Sequence, residues 1–156
     1  MRMNKFLVFL LVIGLIVSCK NQPNDTLFEE VKTNIEFTNT LTESEEFNVF
    51  KYRNFYNGGG VATGDLNNDG LPEVFFTANQ SSNKLYLNKG NFEFEDITQK
   101  AGITYDGEWS TGVVFVDINA DGWLDIYVCN AGNMLQKEKR KNKLYLNNKN
   151  NTFTES

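Results

Sequence analysis

Histidine is absent from this 156-residue sequence, and cysteine and proline occur only twice each. Without histidine the chain lacks the usual general acid–base residue, cannot form a Ser-His-Asp triad and lacks the commonest zinc ligand, so these kinds of site are excluded. So few prolines argue against a Pro-rich disordered chain. Aromatic residues are plentiful, with 13 Phe, 6 Tyr and 2 Trp, and the length is typical of about one domain.

Basic residues are in the minority, with 15 Lys and Arg against 20 Asp and Glu and a net charge of −5. Removal of residues 1–18 would take away Arg2 and Lys5, leaving 13 basic against 20 acidic residues and a net charge of −7. An acidic surface repels phosphate backbones, so we expect no nucleic-acid partner. The basic run at 137–143 is the exception, and we interpret it as a solvated loop.

Only one long apolar run is present, the 12 residues at 6–17, and a membrane-spanning helix needs about 20. The run follows two basic residues and has the size of the apolar region of a secretory signal peptide. Ser18 and Cys19 come directly after it, followed by a polar segment up to residue 26. We therefore predict a signal peptide at 1–18 and a tether at 19–26.

The four residues at 16–19 resemble the bacterial lipobox, in which cleavage precedes a cysteine that is then lipidated. The resemblance implies a membrane anchor at Cys19 and a place in the cell envelope, as an outer membrane lipoprotein or a secreted protein. An ordinary signal peptide with an incidental cysteine is the alternative. Cys129 is the other cysteine, and it lies in an alternating apolar run, which favours a buried strand thiol over a reactive one.

The sequence repeats internally. The phrase beginning GVATGDLNNDG at Gly60 returns at Gly112, 52 positions later, and NKLYLN at Asn83 returns at Asn142, 59 positions later. The extra seven residues indicate an insertion near the charged stretch 136–141. A shorter phrase beginning Phe-Glu or Phe-Thr occurs at 28–31, 94–97 and 153–156, so we expect the chain to end inside a repeat phrase and to be a fragment of a longer array.

Alternating, β-rich patterns predict four strands in each repeat. The predicted strands are 60–66, 73–78, 84–88 and 92–98 in the first repeat, and 111–118, 125–130, 143–147 and 152 onward in the second. Four-stranded units of this period are typical of β-propeller blades. The predicted fold is all-β, with blades at 60–98 and 99–156, an N-terminal β segment at 27–59 that supplies an outer strand, and a larger, seven-bladed array around them.

Each repeat contains an acidic loop, DLNNDGLPE at 65–73 and DINADGWLD at 117–125. Oxygen-bearing groups at alternate positions and a glycine at the sixth form a loop that can wrap a hard cation such as calcium. The candidate ligands are Asp65, Asn67, Asp69, Leu71 and Glu73, and then Asp117, Asn119, Asp121, Trp123 and Asp125, with Leu71 and Trp123 acting through their carbonyl groups. An EF-hand does not fit, because its twelfth position would be Phe76 or Val128 in a β-type run. An Asx-rich turn without metal is the alternative.

These phrases resemble FG-GAP repeats, also called VCBS repeats, of integrin-α-type β-propellers. The resemblance implies Ca²⁺ in the loop between the first and second strands of each blade. Glu73 departs from the family pattern, in which Asp is more usual. Together with the lipobox, the chain is similar to the N-terminal part of secreted Bacteroidota proteins that carry these repeats ahead of an ASPIC/UnbV domain.

The resemblance favours a non-catalytic binding or adhesion module with a glycan or protein as ligand. The alternative is a fragment of a propeller-based polysaccharide-active enzyme, which needs carboxylates with shifted pKa values facing one cleft. The clustered carboxylates are already assigned to calcium. The loop containing Asp106, Glu108 and Trp109 is a weaker candidate, and an ordinary inter-blade turn with a packed aromatic is the simpler interpretation.

Overall fold

A computed structural model of the chain describes residues 27–131 and 137–156. The predicted signal peptide and tether, including Cys19, lie outside the described residues. The chain divides into two units, 1–31 and 32–156. In the first unit the described residues are exposed and form no strand, whereas the second unit contains every strand described below. No helix among the described residues is both long and apolar enough to cross a bilayer.

The second unit is all-β and consists of two four-stranded antiparallel sheets, each in the order of the sequence. The first sheet contains β1 (Val61–Gly64), β2 (Glu73–Phe76), β3 (Lys84–Asn88) and β4 (Phe94–Asp96), and the second contains β5 (Trp109–Val116), β6 (Asp125–Ala131), β7 (Lys143–Asn147) and β8 (Phe153–Glu155). A single turn of 3₁₀ helix, Lys137–Arg140, lies between β6 and β7 within the predicted insertion. Two such meanders are consistent with two propeller blades, as the sequence predicted.

All eight predicted strands form, and most differences lie at their ends. β1 stops at Gly64, because Asp65 already belongs to the acidic loop. β4 begins only at Phe94, because Phe92 adopts a left-handed backbone with φ of 60°. β5 begins earlier than predicted, at Trp109. A bulge between Ser110 and Gly112 interrupts the alternation of side chains there, so the sequence pattern does not indicate where the strand starts.

The main hydrophobic core lies between the two sheets. Phe75 and Leu85 of the first sheet join Ile126, Val128 and Tyr145 of the second in one cluster, and all five side chains are fully buried. Because side chains alternate along a strand, these residues define one face of each sheet. The two sheets therefore pack face to face.

The opposite face of the first sheet is covered by an extended segment, residues 34–42, here called the covering segment. Phe37 stacks on Phe76 with ring centroids 4.8 Å apart, and Tyr86 donates a hydrogen bond to the carbonyl of Glu36 at 2.6 Å. Asn34 bonds through its side chain to both backbone groups of Phe94. No strand occurs among residues 27–59 in this structure, and the prediction that they supply an outer strand to a larger array stays a prediction. The segment holds to the sheet by side chains and rings instead of a backbone ladder.

The opposite face of the second sheet has no such cover among the described residues. Tyr127 and Leu144 lie on this face and are half-buried. Their equivalents in the first repeat, Phe75 and Leu85, are fully buried against the second sheet. Val114 on the same face is 50% exposed. Cys129 also lies here and is half-buried, which corrects the prediction of a buried thiol: the residue is in a strand as expected, but on the less covered face.

Candidate functional site

The first acidic loop connects β1 to β2 and is closed by its own side chains. The Asp65 carboxylate accepts hydrogen bonds from the backbone N–H groups of Asp69 at 3.1 Å and Gly70 at 2.8 Å. Asn67 accepts from the Asp69 N–H at 2.9 Å and donates to the Asp69 carboxylate at 3.0 Å. Asp69 accepts from the N–H of Leu71 at 2.8 Å. The alternate residues predicted from the sequence thus form one connected network.

The second loop, between β5 and β6, reproduces this network contact for contact. Asp117 accepts from the N–H groups of Asp121 at 3.0 Å and Gly122 at 2.9 Å. Asn119 bonds to the backbone and the carboxylate of Asp121 at 3.0 and 3.2 Å, and Asp121 accepts from the Trp123 N–H at 3.0 Å. The two loops differ in sequence at five positions and keep the same geometry, which indicates that the shared oxygens determine it.

The ninth residue of each loop is a buried carboxylate that ties the loop to the third strand of its sheet. Glu73 accepts from the N–H of Leu66 at 2.8 Å and, at 3.4 Å, from the N–H of Asn88 in β3. Asp125 makes the corresponding bonds to Ile118 at 3.2 Å and Asn147 at 2.8 Å. The longer Glu73 side chain therefore reaches the same groups as aspartate. This anchoring role was not predicted from the sequence, although the equivalence of Asn88 and Asn147 in the repeated NKLYLN is a signal for it.

The electrostatic surroundings of the two loops differ. Burial raises the pKa of Glu73, and the charges of Asp69 and Asp65 raise it further, whereas the two backbone N–H groups act in the opposite direction. In the second loop Lys149 places its ammonium 3.2 Å from the Asp121 carboxylate. Burial there acts to raise the Asp121 pKa, but the Trp123 N–H, Lys149 and Asn119 together hold it below its usual value. The first loop therefore has the greater unrelieved negative charge.

The donor set of each loop suits a hard cation, since it consists of carboxylate, amide and carbonyl oxygens without nitrogen or sulfur ligands. Each carboxylate oxygen that accepts one N–H keeps further lone-pair capacity. Within residues 27–131 and 137–156, however, no three His, Cys, Asp or Glu side chains converge into a metal-holding cluster. The described geometry is that of an Asx-type turn whose oxygens remain chemically suited to calcium.

The other candidate loop is held by ion pairs. Glu108 is 7% exposed and its carboxylate lies 2.7 Å from the ammonium of Lys143, which also lies 3.4 Å from Glu155. Burial acts to raise the Glu108 pKa, but the Lys143 contact and backbone N–H groups hold it below its usual value. A general acid of a glycosidase needs a raised pKa, so Glu108 is poorly suited to that role.

The basic run at 137–143 is also engaged in ion pairs. Lys139 pairs with Asp106 across the loop, Lys141 pairs with Glu138 at 3.0 Å, and Lys143 pairs with Glu108. Apart from Lys139 and Lys143, the run is exposed, as predicted.

The fold and the duplicated loops define the class of protein: a β-sheet repeat module with an acidic turn between the first two strands of each unit. Residues 65–128, which extend from the start of the first loop into β6, match the family model of the FG-GAP-like repeat, and the two four-stranded sheets are consistent with that match. The chain is also similar to cartilage acidic protein 1 of Xenopus tropicalis, with 35% identity over 74 residues. The similarity covers 47% of this chain but only 11% of that relative.

Proposed function

We propose that this chain is a calcium-stabilised β-sheet repeat module of a lipid-anchored cell-envelope protein, whose role is binding or adhesion and not catalysis. The observation that carries the proposal is the agreement of the two acidic loops in the backbone hydrogen bonds that their first and fifth residues, both aspartates, accept. The same oxygens close both turns, and carboxylate, amide and carbonyl oxygens at alternate positions also form a donor set that suits calcium. A shared cation ligand would account for the duplication of the whole set, including the buried ninth residue.

The residues that would hold Ca²⁺ are the ten named from the sequence: Asp65, Asn67, Asp69, Leu71 and Glu73, and their equivalents Asp117, Asn119, Asp121, Trp123 and Asp125. When bound, the cation would neutralise three carboxylates in each nine-residue loop. Glu73 and Asp125 would pass that stabilisation to the third strand of each sheet, through the hydrogen bonds to Asn88 and Asn147. The chain's own part is to hold these oxygens in place before the ion arrives.

Cys19 would attach the module to a membrane, and the partner would be a glycan or a protein with no nucleic acid involved. The net charge of −5 and the ion pairs within the basic run support the last point.

Thermal unfolding with and without calcium tests the proposal. A ligand present at about 100 times its Kd stabilises the folded state by about 2.7 kcal/mol, so calcium should raise the Tm of the full chain by several degrees above its value in chelator. Asp69→Asn combined with Asp121→Asn should remove most of this rise. Asp69→Asn alone should remove more of it than Asp121→Asn, because Lys149 already relieves the second loop.

Glu46→Gln is the matched control, since Glu46 is exposed, lies outside both loops and loses the same charge. It should keep the full calcium response, and magnesium should give a smaller one because Mg²⁺ sheds its water reluctantly. Identical melting of wild type in calcium and in chelator would exclude a calcium role.

A further inference from the structure

A cavity of about 620 Å³ lies beside the covering segment, away from both acidic loops. One wall is formed by Thr38, Thr40 and Thr42 of the covering segment. The loop after β2 and the loop that leads into β5 form two others, and Phe47, Ala131 and Lys139 complete the described lining. This volume lies within the range of small-molecule binding sites.

The covering segment contributes three exposed threonines to the lining of this cavity. Along the segment the side chains alternate, with Phe37 and Asn39 half-buried against the protein and the three threonines exposed on the other side. Side chains two residues apart in an extended chain are separated by about 6.5 Å, so the hydroxyls are regularly spaced.

Hydrogen bonds join the covering segment to the loop after β2. Asn39 donates to the side chain of Asn79 at 2.7 Å, and the Asn79 amide donates in turn to the carbonyl of Ser110 at 2.9 Å. Gln80 bonds to both backbone groups of Thr42, at 2.6 and 3.0 Å. These amides are occupied, so the polar side chains that can meet a ligand are the hydroxyl groups of the three threonines and of Ser81.

Aromatic side chains border the same cavity. Tyr105 is 38% exposed, and Phe47 packs edge-on against Trp109 with ring centroids 5.0 Å apart. Trp109 is 5% exposed, and its Nε1 is the one buried side-chain nitrogen or oxygen without a hydrogen-bond partner in the described part of the chain. An aromatic surface next to hydroxyl groups matches the two-sided chemistry of a pyranose ring, which has C–H faces and a polar rim.

The cavity has little free charge with which to select an ionic ligand. Lys139 is the only charged residue among its described lining residues, and its ammonium is paired with Asp106. A phosphate or carboxylate ligand would find no unpaired cation there. A cationic ligand would find no carboxylate in the described lining.

We infer that this cavity binds a neutral saccharide, with Thr38, Thr40 and Thr42 bonding to its hydroxyls and Tyr105 contacting a ring face. The inference deepens the proposed binding function and depends on it for the role of the module. It places the ligand site away from the calcium loops, so the two can be tested separately.

Isothermal titration of the full chain with cellotetraose and mannotetraose tests the inference, with trigalacturonate as the anionic comparator and an extended neutral decapeptide as the peptide comparator. At least one neutral saccharide should bind, and the comparators should bind at least tenfold more weakly. Thr40→Val, which removes one exposed hydroxyl at nearly constant shape, and Tyr105→Ala should each weaken saccharide binding by about three- to tenfold.

Thr63→Val is the matched control, because Thr63 is exposed on β1 and does not line the cavity, and it should bind as wild type does. Asp69→Asn with Asp121→Asn should change the calcium-dependent Tm without changing saccharide affinity measured below the transition. A wild-type chain that melts in the calcium-dependent way but binds no neutral saccharide overturns this inference alone. Tighter binding of the peptide or the anion, or equal weakening by Thr63→Val, also overturns it.

Discussion

Single residues in the acidic loops show which requirements come from the backbone and which from the ligand chemistry. In both loops the fourth and sixth positions adopt a left-handed backbone, with φ of 59° and 86° at Asn68 and Gly70 and of 58° and 84° at Ala120 and Gly122. Glycine reaches this conformation without strain, and asparagine reaches it more easily than other residues with a β-carbon. The alanine in the second loop is therefore the least suited of the four.

Ala120→Asn should stabilise the protein by about 0.5–1 kcal/mol, because asparagine tolerates the left-handed region better than alanine. The reverse change, Asn68→Ala, should destabilise it by at least as much, since Asn68 also donates to the carbonyl of Gly122 at 3.3 Å. Urea unfolding in chelator measures both effects without the contribution of a metal. A destabilised Ala120→Asn variant would contradict the backbone argument.

Glu108 should make stability depend on pH below the neutral range. Its pKa in the folded protein is held below the ordinary value of 4.5, so its contribution is complete above that value and is lost as the pH falls through the lower, folded value. Glu108→Gln should cost about 1–3 kcal/mol at pH 7, because it leaves the little-exposed Lys143 with a weaker partner. The difference between the two proteins should shrink in acid. Urea midpoints across this pH range measure it, with exposed Glu45→Gln as control.

At the scale of the secondary-structure elements, equivalent positions in the two repeats have different surroundings. Gly60 and Gly112 are equivalent residues of the two repeats, and each precedes the acidic loop of its own repeat. A β-carbon on Gly60 would lie 3.0 Å from the Gly112 Cα, because the start of the first sheet approaches β5 closely. A β-carbon on Gly112 would meet only the Cys129 Cβ at 3.9 Å.

Gly60→Ala should therefore destabilise the protein by about 1–3 kcal/mol, because the added methyl group must displace backbone atoms of β5. Gly112→Ala, the matched variant in the second repeat, should stay within about 0.5 kcal/mol of wild type. Chemical denaturation of both measures the difference. Equal effects would show that the close approach of the sheets is not what requires glycine.

At the scale of the whole molecule, the two repeats are joined by polar contacts as well as by their shared core. Asn88 donates to the carbonyl of Pro72 at 3.0 Å, within its own repeat. Its equivalent, Asn147, donates to Leu124 at 2.9 Å and also to Leu66 of the first repeat at 2.8 Å. The Asn88 side chain thus donates to one acidic loop, whereas the Asn147 side chain donates to both.

Asn147→Ala should cost about 2–4 kcal/mol, because two carbonyl groups at the sheet interface lose their donor. Asn88→Ala should cost about 1 kcal/mol, since only one carbonyl group, that of Pro72, loses its donor, and the site is partly exposed. Differential scanning calorimetry of both variants measures the costs and shows whether the sheets still melt together. Equal costs would mean that Asn147 does not couple the repeats.

The sequence by itself determined the strands, the duplicated loops and the residues within them, because these features depend on local periodicity and on turn chemistry that recurs at fixed spacing. The bulge at Ser110 and the left-handed backbone of Phe92 were not predicted from the sequence, since neither leaves a local sequence pattern. Tertiary structure alone decided that residues 34–42 cover a sheet face without joining the ladder, that Lys149 reaches the second loop, and that Asn147 spans both repeats. Each of these depends on which surfaces meet across long separations in the chain, and packing sets that choice.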